Sequence, residues 1–162
     1  MLIKRVIINS SPLIVLFKSQ QAELLPQLFT EILVPVAVWD EVRIAGSDDA
    51  ASRQLPKVSW VQQVELVNIA PEVAAWDLGK GESEVLSQSL TVSDCAAIID
   101  DRAARRCAQA LGIPTIGTGG ILILAKRRGL ISSVSSRIEA LRDAGLWMSD
   151  TLVNLLKQQA EE

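Results

Sequence analysis

No histidine occurs among the 162 residues of this chain. Whatever chemistry it performs uses neither an imidazole base nor an imidazole metal ligand. Cysteine is scarce as well: Cys95 and Cys107 are the only two. That usage predicts reduced core thiols in a cytoplasmic protein, not a disulfide or a metal site. An excess of positive charge is also lacking, with 16 Lys and Arg against 19 Asp and Glu and a net charge of −3. This argues against a generally basic surface for nucleic acid. It leaves room for an enzyme that cuts nucleic acid, whose acids a bound metal would mask. No apolar run approaches the length of a membrane span, so no membrane partner is expected. The first residues are broken by Lys4, Arg5 and Asn9-Ser10-Ser11-Pro12 and do not read as a signal peptide. Repeats, low-complexity segments and linkers are missing, so residues 1–162 are expected to form a single domain. With 49% hydrophobic and 22% charged residues, the composition is that of an ordinary globular core.

Short apolar strands alternate with helices. A first strand is expected over Ile3 to Ile8, ended by Asn9. Ser11 and Pro12 then read as the cap and first residue of a helix. A second helical piece follows over Ala22 to Phe29, with Pro26 as a possible kink. Ile32 to Val34 is a second strand, and Pro35 opens a helix that ends at Gly46. Asp48 to Leu55 is expected to be helical, Val58 to Ile69 is ambiguous, and Pro71 to Gly81 reads as a loop or weak turn of helix. The remaining helices are expected over Glu82 to Leu90, Arg102 to Leu111, Ile121 to Arg128, Val134 to Ala144 and from Ser149 or Asp150 to about Gln159. Ala96 to Ile99 is the central strand and Thr115-Ile116 a brief one. The pattern predicts an α/β fold: three α/β/α layers around a short-stranded parallel sheet. The helices over about 134–160 pack on that body or on a partner, and Leu152, Val153, Leu155 and Leu156 supply their apolar face.

The central strand stops on two carboxylates, Asp100 and Asp101. Adjacent like charges raise each other's pKa, so such a pair at a buried strand end points to a crevice. A helix cap explains one of these acids but not both. Further acids stand at element ends: Glu41 in the helix after the second strand, and Glu82 and Glu84 at the start of the helix before the central one. In a parallel sheet these positions can converge. An all-oxygen site suits Mg²⁺ or Mn²⁺, which would also orient and acidify a water. The plain alternatives are surface acids complementing helix dipoles and, for Asn9 to Ser11, a turn and cap. Arg102, Arg105 and Arg106 cluster on one helix beside the acids, where they suit either phosphate contact or a solvated face. Gly117-Thr118-Gly119-Gly120 reads as a tight turn with close packing and is weak as a nucleotide loop. Trp39, Trp60, Trp76 and Trp147 suit packing better than base stacking.

The segments VIINSSPLIVL, VPVAVWDEV, GKGESEVL, AAIIDDRAARRCAQALGIPTIGTGGIL and AKRRGLI, in this order, resemble PIN-domain proteins. The branch is the DUF3368-like one, related to VapC-type toxin ribonucleases. The tail GLWMSDTLVNLL resembles it too. The resemblance implies a metal-dependent endoribonuclease, the toxin of a toxin–antitoxin pair, with Mg²⁺ or Mn²⁺ as cofactor. Its partners would be RNA, an antitoxin protein and a second copy of the chain. It implies Glu41 in the second acidic place, Glu82 or Glu84 in the third, Asp101 or Asp100 in the fourth, and Ser11 as an accessory hydroxyl. Asn9 takes the first place, where an acid is expected. An amide oxygen can ligate a hard cation but brings no charge. The alternative reading is therefore a catalytically impaired PIN-like module that works through protein or nucleic-acid contacts.

Overall fold

The computed structural model describes residues 3–45, 49–65 and 68–162. Strands β1 (Arg5–Ile8), β2 (Glu31–Pro35), β3 (Val61–Val64), β4 (Cys95–Ile98) and β5 (Thr115–Ile116) form one sheet in the order β3-β2-β1-β4-β5. Every pairing is parallel, with Ile7 opposite Leu33 on one side and Ala97 on the other. Apart from Arg5 and Glu31 at their first positions the inner strands are apolar, because helices cover both faces of the sheet. Each fully buried Ile or Leu, such as Ile7, Ile98 or Leu122, contributes roughly 1.5–3 kcal/mol by leaving water. β3 alternates differently: Gln62 and Gln63 lie exposed, as an edge strand permits.

Ten α-helices complete the three layers among the described residues. They are α1 (Ser10–Lys18), α2 (Leu24–Leu28), α3 (Val36–Ala45), α4 (Ala50–Gln54), α5 (Pro71–Ala74), α6 (Lys80–Ser89), α7 (Arg102–Ala110), α8 (Thr118–Arg127), α9 (Val134–Asp143) and α10 (Asp150–Gln159). α6 lies against β1, β2 and β4 and packs on α3, while α8 packs against α2, α9 and α10. Val153 and Leu156 of α10 point inward and are buried, whereas Leu152 and Leu155 remain exposed.

Several boundaries differ from the sequence expectation. Pro35 closes β2 instead of opening α3. The ambiguous stretch contains β3, and the Pro71 region forms the single-turn helix α5. α1 begins at Ser10 with Asn9 at its N-cap, so Ser11 lies inside the first turn. α8 begins at Thr118, three residues before the expected start, and takes Gly119 and Gly120 into its first turn. The helix end expected at Gly46 and the helix start expected at Asp48 lie outside the described residues; within them Asp49 caps α4 by accepting from the Ser52 amide.

The strand order places a switch point between β1 and β4. The chain runs outward from β1 to β3, returns, and runs outward again from β4 to β5. Side chains at the carboxyl ends of β1 and β4 therefore flank the crevice where α/β sheets bind ligands.

Candidate functional site

Asn9 follows β1 directly, and its amide donates to the Ile98 carbonyl at 3.0 Å, tying the ends of β1 and β4 together. Its side chain is buried, and Oδ1 has no hydrogen-bond partner among the described residues. A buried acceptor left unpaired is costly, so this atom marks a place prepared for a donor or a cation.

Glu41 approaches from α3. Its Oε2 accepts from Ser10 Oγ at 2.7 Å and its Oε1 from the Gly81 amide at 3.1 Å. Gly81 leaves room for this approach: a Cβ there would lie 2.6 Å from Oε1, and the Glu41 carboxylate would have to shift. Ser10, not the predicted Ser11, is thus the hydroxyl that reaches the acids. Ser11 is exposed.

The two consecutive aspartates part company. Asp101 is exposed and caps α7, its Oδ2 accepting from the Ala104 amide at 2.9 Å. Asp100 turns to the next helix. Its Oδ1 accepts from the Thr118 amide at 2.8 Å and its Oδ2 from Thr118 Oγ1 at 2.5 Å, which caps α8. Glu84 is buried and accepts from the Ala37 amide at 3.2 Å, in the first turn of α3. Glu41, Glu84, Asp100 and Asp101 thus each hold a first-turn N–H of a different helix, where dipole and orphan donors favour a carboxylate.

Glu82 behaves differently. Burial, then the negative charges of Asp101 and Glu41, push its carboxyl up from the ordinary value of 4.5, against a pull from the Gly79 backbone. Glu82 therefore lies in the field of Asp101 and Glu41, whereas Glu84 is bonded to the first turn of α3.

The fit to a divalent ion is incomplete. Among the described residues no group of three or more Asp, Glu or Cys side chains is placed to hold a metal ion. Asn9 Oδ1 is a free acceptor, but most of the acids around it already carry amide or hydroxyl partners. As arranged, these residues do not make a Mg²⁺ or Mn²⁺ site.

A cleft of about 450 Å³ opens beside the acids, lined by Asp100, Arg102, Arg105, Arg106, Gln109 and Thr115 together with Ile113. Arg105 Nη1 donates to the Ile99 carbonyl at 3.0 Å, which fixes that guanidinium at the end of β4. Arg102 and Arg106 are exposed and form no ion pair among the described residues. Their side chains face solvent, as the solvated-face reading expects, but without the pairing to neighbouring acids. A cleft of similar volume beside Glu41 is lined by Ser10, Ile14, Ala37, Asp40, Glu41, Ile44 and Lys80. A further cleft, of about 630 Å³, lies around Lys4, Thr30 and Trp60 near the opposite ends of the strands, away from the acids.

Compared with known families, residues 5–162 match the model of DUF3368, a PIN domain. The chain belongs to this PIN-domain family. No curated protein matches it. Membership of nearly the whole chain places α9 and α10 within this PIN domain's matched length. Both cysteines are free and buried. No helix among the described residues is long and apolar enough to cross a membrane. Trp60 stacks on Phe17 with ring centroids 5.9 Å apart, as expected of packing, while Trp76 and Trp147 are exposed.

Proposed function

We propose that this PIN domain is a binding module that engages RNA phosphates through α7, its crevice acids serving mainly to cap helices. The observation that carries this reading is the occupation of Glu41, Glu84, Asp100 and Asp101 by first-turn amides. Asn9, neutral where the family resemblance expects an acid, points the same way. Arg102 and Arg106 bring unpaired charge to a cleft that also offers Gln109 and Thr115 as uncharged hydrogen-bonding groups. Guanidinium groups suit phosphate by charge and by their forked geometry. The free, buried thiols suit a cytoplasmic location.

The test is anisotropy titration of a labelled single-stranded RNA over a range of salt. Binding is expected to weaken with salt. Arg102→Ala with Arg106→Ala is expected to lower the log–log slope by about 1.4, near 0.7 per lost phosphate contact. An unchanged slope and affinity would remove the arginines from the interface.

A second reading, a Mg²⁺- or Mn²⁺-dependent endoribonuclease with an antitoxin protein and a second copy as partners, is favoured by Glu82. A carboxyl pushed up by burial and then by two neighbouring acids is one whose charge a cation would favour. Calorimetric titration with Mn²⁺ and an RNA cleavage assay separate the two readings. Heat of binding together with cleavage that Asp101→Asn abolishes would establish the enzyme; neither is expected for a binding module.

A further inference from the structure

α10 ends in a feature that helix formation alone does not require. Glu161 takes a left-handed backbone, φ 61°, which is unfavourable for a residue with a Cβ. The turn is completed by the Glu161 amide donating to the Gln158 carbonyl at 3.1 Å and the Glu162 amide to the Lys157 carbonyl at 2.8 Å. The turn aims the Glu162 side chain back at the start of α9. There Oε2 accepts from Lys126 Nζ and from the Val134 amide, both at 2.7 Å. Oε1 accepts from the Ser135 amide at 3.0 Å, Ser135 Oγ at 2.7 Å and Ser133 Oγ at 3.2 Å. Lys126 also donates to the Ala160 carbonyl at 2.6 Å, so one ammonium ties the last turn of α8 to the end of α10. These donors hold the Glu162 carboxyl far below the usual carboxylate range.

Between its ends α10 lies close on α8. A Cβ on Gly119 would meet Leu156 Cδ1 at 2.6 Å, so the helices touch where α8 has no side chain. The preceding residue is Thr118, fully buried and bonded by both its amide and its hydroxyl to Asp100. We propose that Glu162 is a clasp that fastens α10 across α8 and thereby steadies the Asp100–Thr118 corner of the arginine cleft. This inference does not depend on what the cleft binds.

Hydrogen–deuterium exchange on the full chain tests it, comparing wild type with Glu162→Ala, Lys126→Met and the milder Glu162→Gln. Opening of the clasp is expected to speed exchange about tenfold in peptides spanning 152–160 and also 118–124, with β1 and β2 unchanged. Faster exchange confined to α10 would overturn the coupling. No change in α10 would overturn the clasp itself. An even rise through β1 and β2 in all three variants would show general loss of stability, and would overturn it too.

Discussion

The hydroxyl of Ser10 donates to Glu41 Oε2 at 2.7 Å, joining the first residue of α1 to the middle of α3. Glu41 completes the link by accepting from Gly81 in the first turn of α6. One carboxylate thus ties together three helices that reach the crevice from separate parts of the chain.

Ser10→Ala leaves Glu41 with the Gly81 amide alone. The expected cost is about 1 kcal/mol, the usual net value of such a bond in a half-exposed setting. Ser11→Ala is the control and should stay within about 0.5 kcal/mol of wild type. Urea denaturation of both variants measures the difference. Equal losses would mean that the hydroxyl at position 10 does not hold Glu41.

Asp100→Ala removes the cap of α8 and strands the buried Thr118 hydroxyl. A lost cap and an unpaired buried group together cost about 2–3 kcal/mol. Adding Thr118→Val should recover part of that, because the stranded hydroxyl is gone. A denaturation cycle over the four proteins gives the coupling. Strictly additive losses would separate Asp100 from Thr118.

Glu82→Gln should stabilise the protein near pH 7 in metal-free buffer. The folded value of Glu82 lies above 4.5, so the folded state binds this proton more tightly than the unfolded one. Stability from this group therefore rises as pH falls through the raised value and levels off below the unfolded one. The variant removes a charge that burial and its acidic neighbours disfavour at neutral pH, and should melt higher than wild type. Its advantage should close by about pH 3, well below the unfolded value, where wild-type Glu82 is protonated in both states. A Glu82→Gln protein that melts lower than wild type at pH 7 would contradict the raised value.

Much of the sheet was legible because β1, β2 and β4 are apolar beyond Arg5 and Glu31 at their first positions, and few other structures bury every face of a short run. β3 was not, since an edge position lets Gln62 and Gln63 stand in a strand. The start of α8 was hidden for a different reason. Consecutive glycines read as a turn by propensity, but a carboxylate eighteen residues upstream supplies the cap, as the span from Asp100 to Thr118 shows. The same distance explains the aspartate pair. Asp101 caps the helix that follows it, and the partner of Asp100 cannot be found from local spacing. Ser10 and Ser11 are adjacent hydroxyls that only the helical phase of α1 tells apart.

Asp100 and Asp101 sit side by side, yet each fixes the beginning of a different helix. The axes of α7 and α8 are consequently geared to one peptide unit. Neither helix can be re-aimed alone, and inserting or deleting a single residue at this junction would throw both out of alignment together, dragging the arginine cleft beside α7 out of shape.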